Sequence, residues 1–112
     1  MEVSSQTLER NVVIVYLKGR LDATSSSDVK VTLKNLLEND QLKIIVDLQE
    51  VPFIDSSGLA ALVSGLRMAR EKGGNIVLSR VQSQAQTVFR LTMLDRVFAI
   101  LPTPEDAQQS LL

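Results

Sequence analysis

Lys43-Ile44-Ile45-Val46-Asp47-Leu48-Gln49-Glu50-Val51-Pro52-Phe53-Ile54-Asp55-Ser56-Ser57-Gly58-Leu59 joins two patterns of opposite period. Residues 43 to 48 are an apolar, β-branched run of strand length. Leu59, Leu62, Val63, Leu66 and Ala69 recur at helical spacing. The turn between them therefore opens a helix at the carboxyl end of a strand. The first N–H groups of a helix lack partners within it, and the aligned peptide dipoles make that end partly positive. A phosphate is well received there. Phosphorylating a serine at this point adds about −1.5 to −2 charges near pH 7 in a place where the scaffold stabilises them. Asp and Ser are also the favoured N-cap residues of ordinary helices, so local chemistry alone leaves two readings of Asp55-Ser56-Ser57: a cap, or a site whose charge can be switched.

Upstream, Val12-Val13-Ile14-Val15-Tyr16-Leu17 is an unbroken apolar run, as expected of a strand covered on both faces, and residues 2 to 8 read as a weaker strand. The Glu9-Arg10-Asn11 link is short enough for an antiparallel hairpin. After a turn at Gly19, Ser25 and Asp28 form a Ser-x-x-Asp pair resembling a capping box. Val29, Leu33, Leu36 and Leu37 then share one stripe, which predicts a helix from Ser26 to Asn39.

Strand 43 to 48, a helix over 57 to 72 and strand Asn75–Ser79 make one β-α-β unit, with Gly73-Gly74 closing the helix. A helix over 82 to 91 leads to a predicted strand Val97–Leu101. Thr103-Pro104-Glu105-Asp106 then opens a last short helix with an N-cap, a proline at its first position and two acids in its first turn. The fold class is α/β: one domain over residues 1–112, with a mixed, mostly parallel sheet, an N-terminal hairpin and about four helices.

Composition narrows the chemistry. With no histidine and no cysteine, the chain holds no Ser-His-Asp or Cys-His nucleophile and no imidazole or thiolate zinc site. Asp22, Asp47 and Asp55 lack the spacing of a metal loop and read as solvated acids. No Gly-rich nucleotide loop is present. No catalytic residue, metal or cofactor is expected. A net charge of −1 and four aromatic residues argue against a nucleic-acid surface, and Arg67, Arg70 and Lys72 read as the solvated face of the helix over 57 to 72. No apolar run approaches the ~18 residues of a membrane span, and the start lacks the pattern of a signal peptide, so the expectation is a cytoplasmic protein without a membrane partner.

The Asp55-Ser56-Ser57-Gly58-Leu59 segment resembles the phosphorylation motif of the anti-sigma factor antagonists of the STAS domain family, in which the second serine is modified. Gly19-Arg20-Leu21-Asp22-Ala23 is similar to the family's Gly-x-Leu-Asp turn, and Leu91 to Phe98 to its C-terminal segment. The three matches occur in the family's order and span nearly the whole chain. One departure stands out: Met93 occupies a position where the family pattern has glycine, so the backbone there either avoids a positive φ or strains to reach it.

The resemblance implies a STAS architecture and a partner-switching regulator, not an enzyme. The unmodified form would bind an anti-sigma factor that is also a serine kinase, thereby freeing the sigma factor. Phosphorylation at Ser57 would release the kinase, and a PP2C-type phosphatase would reset the switch. The implied partner surface comprises Asp22, Asp55, Ser56, Ser57, Gly58 and Leu59. Two alternatives stay open: a passive STAS adaptor in a transport or signalling complex, with the serines only capping, and a small-molecule or nucleotide-binding module using the helix tip.

Overall fold

The computed structural model describes residues 1–112. Its strands are β1 (Glu2–Thr7), β2 (Val12–Lys18), β3 (Lys43–Glu50), β4 (Asn75–Ser79) and β5 (Ile100–Leu101). Its helices are α1 (Ser26–Glu38), α2 (Ser56–Glu71), α3 (Ser83–Leu91) and α4 (Pro104–Ser110). The sheet order is β1-β2-β3-β4-β5. The hairpin pairs β1 with β2 antiparallel, from Glu2 opposite Lys18 to Thr7 opposite Val13. Every other pairing is parallel, as helical crossovers demand.

Alternation along the strands sorts the core. Val13, Val15 and Leu17 of β2, with Ile44, Val46 and Leu48 of β3 and Ile76 and Leu78 of β4, point to the face covered by α1, α2 and α3 through Leu33, Leu62, Leu66 and Phe89. Val12, Ile14, Ile45 and Val77 point the other way and are covered by α4 at Ala107. The apolar runs of β2 and β3 are unbroken because both faces are used. At the end of α2, Gly73 takes a φ of +81°, and the N–H of Gly74 donates to the Ala69 carbonyl at 2.8 Å, the turn that the glycine pair implied.

Three expectations are corrected. The strand read over 97–101 shrinks to Ile100 and Leu101, which pair with Leu78 and Ser79. Before it, a 3-10 turn over Leu94–Arg96 carries Phe98 inward. There Phe98 meets Phe89 edge-on, with ring centroids 5.8 Å apart, so burying the ring wins over extending the ladder.

The Ser25–Asp28 capping box does not form. Ser25 stands at the N-cap of α1 with helical backbone angles and makes no capping bond. Its hydroxyl instead donates to the Arg20 carbonyl at 2.8 Å and accepts from the Asp22 N–H at 3.0 Å, tying together the preceding turn.

Asp47 is not a solvated acid. It is 3% exposed and lies on the α4 face of β3. Of the two alternatives for Met93, the backbone strains: its φ is +60°.

Candidate functional site

Beyond Glu50, β3 loses its place in the ladder, and the chain runs through Val51-Pro52-Phe53-Ile54 to Asp55. Two neighbours hold this run. On the β2 side, the turn after Gly19 continues the parallel pairing. The Leu21 N–H donates to the Phe53 carbonyl at 3.0 Å, and the Asp55 N–H donates to the Leu21 carbonyl at 3.2 Å. The Gly-x-Leu-Asp turn and the Asp-Ser-Ser-Gly turn are therefore zipped side by side, which brings Asp22 and Asp55 to one rim. The Arg20 guanidinium lies 4.0 Å from the centre of the Phe53 ring and 3.6 Å from the Asp22 carboxylate, a further cross-link between the two turns.

Asp55 is the N-cap of α2: its backbone is extended, and its Oδ1 accepts from the Gly58 N–H at 3.0 Å. Ser56 and Ser57 are thus the first two helical residues, Ser56 exposed and Ser57 half-buried. Because Asp55 supplies the cap, neither serine hydroxyl is committed to a hydrogen bond within the protein. The N–H groups of residues this early in a helix have no intrahelical acceptor. Two free hydroxyls and unpaired donors thus meet at the positive end of a helix of 16 residues.

Gly58 and Leu59 depart from the expected contact surface, since both are buried. A Cβ built on Gly58 would lie 2.5 Å from the Leu21 carbonyl oxygen and 2.9 Å from Ile54 Cγ1. The glycine is there so that the helix tip can press against the neighbouring turn. Leu59 joins the main core. Asp22, Asp55, Ser56 and Ser57 remain accessible.

Asp22 accepts from both the Thr24 hydroxyl, at 2.7 Å, and the Thr24 N–H, at 3.0 Å. The hydroxyl bond, followed by the N–H bond, holds its carboxyl below the ordinary range, so the rim keeps this negative charge throughout the neutral range.

A second polar cluster lies where β3 and β4 end. Asp47 Oδ1 accepts from Ser79 Oγ at 2.8 Å and from Arg80 Nε at 2.9 Å, and its Oδ2 accepts from Arg80 Nη2 at 3.0 Å. The hydrogen bonds to Asp47 raise the already high pKa of Arg80. The signal in the sequence was Asp47 itself, a carboxylate between Val46 and Leu48 in a strand with both faces covered, where a charge needs a partner. Arg80 sits at φ +51° on the turn into α3. From that turn, Gln82 reaches the Gln49 carbonyl, and Gln84 reaches Ile54. Neither glutamine stood out in the sequence, because nothing in their spacing reports a contact across some thirty residues of chain.

The model of one family, the STAS domain, matches residues 5–107. The anti-sigma F factor antagonist of Paenibacillus polymyxa is 31% identical over 94 residues, which cover 83% of this chain and 78% of that protein. A Thermotoga maritima crystal structure, described provisionally as an anti-sigma factor antagonist, superposes with a TM-score of 0.92 at 25% identity, covering 97% of this chain and 93% of its own. SpoIIAA of Bacillus in its phosphorylated form shares the fold with a TM-score of 0.78 at 20% identity, over 99% of this chain and all of its own. No helix here is long and apolar enough to cross a membrane.

Proposed function

This chain belongs to the STAS domain family, and on that premise we propose that it acts as an anti-sigma factor antagonist switched by phosphorylation at Ser57. The observation that carries the proposal is the division of labour at the tip of α2: Asp55 caps the helix, which leaves the Ser57 hydroxyl without a structural task. Ser57 is preferred to Ser56 because the family's motif is modified on its second serine. In the unmodified state the rim formed by Asp22, Asp55, Ser56 and Ser57 binds an anti-sigma factor that is also a serine kinase. Gly58 and Leu59 shape that rim from beneath.

The kinase transfers the γ-phosphoryl of ATP to the Ser57 oxygen, whose proton is lost. The product is a dianion at a surface that had matched a neutral hydroxyl. One added charge about 5 Å from a like charge, at an effective dielectric of about 20, costs roughly 3 kcal/mol, or more than a hundredfold in affinity. Screening by salt lowers that figure, and the bulk of the phosphate raises the penalty again. Within the protein the same phosphate meets the unpaired N–H groups of the first turn, worth a few tenths to ~1 kcal/mol in favour of the helix. Binding is lost while the fold is kept, and a PP2C-type phosphatase restores the hydroxyl.

The test pairs intact mass and phosphopeptide mapping, after incubation with the kinase and ATP, with binding measurements on Ser57→Ala and Ser57→Asp. Ser57→Ala should bind and never release. Ser57→Asp should melt within a few degrees of the wild type yet fail to bind, with amide shifts confined to residues 53 to 60. Phosphate on Ser56 or on Ser25 to Ser27 would show the wrong acceptor. A stable complex with no phosphate anywhere would favour the passive adaptor.

A further inference from the structure

Between Glu50 and Asp55, hydrogen bonds from the Gly19–Asp22 turn satisfy the groups that point towards β2, namely the Phe53 carbonyl and the Asp55 N–H. In extended chain the N–H and C=O of the residue between them point the opposite way. For Ile54 that direction is the β4 side, but β4 ends at Ser79 and offers no strand there. Gln84, in the first turn of α3, fills the gap. Its Oε1 accepts from the Ile54 N–H at 3.0 Å, and its Nε2 donates to the Ile54 carbonyl at 3.1 Å. One carboxamide thus replaces a missing strand neighbour. Its orientation is fixed, because the flipped amide would set donor against donor and acceptor against acceptor.

Gln84 is itself held in place. The turn that delivers it starts at Arg80, which is locked by two hydrogen bonds to the buried Asp47 and by its own N–H to the Leu101 carbonyl at 3.2 Å. Gln82 grips the other end of the same loop at the Gln49 carbonyl. Ile54 is 1% exposed, so water cannot stand in easily for the lost carboxamide. Ile54 directly precedes the cap residue, and the cap fixes where Ser57 stands.

Resting on the switch proposed above, we propose that Gln84 is a positioning residue for the phosphoacceptor: it holds the backbone at Ile54 so that Asp55 caps α2 and the Ser57 hydroxyl is presented to the kinase in one geometry. Phosphoryl transfer depends on alignment of the attacking oxygen, and a displacement of about 1 Å can cost on the order of a hundredfold. The rim that docks the partner does not include Gln84. Its loss should therefore slow transfer more than it weakens binding.

Gln84→Met keeps the length and removes both hydrogen bonds. Gln84→Glu keeps the acceptor and, while ionised, removes the donor. In kinase assays with the full-length protein, Gln84→Met should lower kcat for Ser57 about tenfold with KM within about twofold. Gln84→Glu should fall between it and the wild type. Amide exchange at Ile54 and Asp55 should quicken at least about tenfold in Gln84→Met, while the amides of β2 and β3 keep their protection.

If Gln84→Met fails to fold, Gln84→Glu carries the same comparison, and protonating its carboxyl towards pH ~4 should restore protection at Ile54 by returning the donor. Wild-type kcat in a folded Gln84→Met, or unchanged exchange at Ile54, overturns the proposal. If the wild type takes no phosphate, the switch itself fails, and the exchange at Ile54 and Asp55 alone then decides whether Gln84 holds the loop.

Discussion

Residues 51–58 and residues 92–99 both leave an element at the edge of the core and turn sharply, yet they are held by different means. In the first run, backbone groups are met from distant parts of the chain, by Leu21 and Gln84, and at its end by the segment's own Asp55 carboxylate. In the second, the backbone bonds stay local as far as Phe98, from Thr92 to Val88, Met93 to Arg90 and Phe98 to Leu94, and only at its end does the Leu78 N–H of β4 donate to the Ala99 carbonyl, at 2.9 Å. Before that, the Phe98 ring, the partly buried Leu94 side chain and the Arg70 bond to the Val97 carbonyl, at 2.9 Å, tie it to the rest. The second run also exposes apolar side chains, Met93 at 60% and Val97 at 38%. A segment pinned by long-range polar bonds presents one geometry, as the proposed switch requires. A segment wound mostly on local turns and anchored chiefly by apolar side chains is free to vary at its surface. Substitutions in the first region should therefore cost more, and cost function too.

The largest effect is expected from Asp47→Ala, which removes the anchor beneath the turn carrying Gln82 and Gln84. Breaking a buried ion pair costs about 3–5 kcal/mol when the remaining charge is stranded. The Arg80 side chain is 32% exposed, so water recovers part of that. A loss of about 2–3 kcal/mol, read as a fall of roughly 10 °C in melting temperature, is the expected outcome. A loss under about 1 kcal/mol would show that the two regions are not distinguished by polar anchoring.

Next comes Gly58→Ala. Alanine gains about 0.8–1 kcal/mol of helix propensity, but here its Cβ would meet the Leu21 carbonyl oxygen at 2.5 Å, and only a backbone shift can relieve that. A net loss of about 2 kcal/mol in denaturant unfolding is expected, with amide shifts reaching the Gly19–Asp22 turn. Stabilisation by Gly58→Ala would mean that the two turns are not packed as tightly as described.

The same contrast explains what the sequence revealed. Strong, covered strands and long amphipathic helices were legible within a residue or two: α2 starts at Ser56 against an expected 57, and β4 was met over its whole length. The strand over 97–101 failed because Val97-Phe98-Ala99-Ile100-Leu101 has strand composition but follows a turn that spends Phe98 on the core. Ser25 failed as a capping box because its hydroxyl found a better partner in Arg20, five residues back.

At the proposed site, the short-range motif pointed to Asp55, Ser56 and Ser57, which the fold leaves accessible. It could not tell that Gly58 and Leu59 face inward, since a helix tip has an inner and an outer side and only packing says which is which. The partners of Asp47 and Ile54, Arg80 and Gln84, lie 33 and 30 residues away, a separation that periodicity does not reach.

A smaller effect is expected from Asp55→Ala, which removes the cap but leaves the backbone pairing with Leu21 in place. N-cap loss is typically worth ~1 kcal/mol. Stability should fall by about that much, with faster amide exchange confined to the first turn of α2. If exchange quickened across the whole Gly19–Asp22 turn, the carboxylate and not the backbone would be the main tie between the two turns.

The smallest effect should come from the other region, with the opposite sign. Met93 holds a left-handed conformation, at φ +60° and ψ +15°, that costs an L-residue about 1–2 kcal/mol, and its side chain is too exposed to repay that through packing. Glycine at this position removes the clash of Cβ but gives up more chain entropy on folding, about 0.5–1 kcal/mol. The difference favours Met93→Gly by about 0.5 kcal/mol, visible as a higher denaturation midpoint at unchanged slope. Since the bonds from Met93 to Arg90 and from Arg96 to Met93 run through the backbone, the turn itself should persist, and switching at Ser57 should be untouched. A lower midpoint would mean that the exposed methionine contributes packing that its accessibility does not reveal. Altered transfer to Ser57 would mean that the local turns of residues 92–99 are coupled to the pinned loop, and the contrast between the two regions would then not hold.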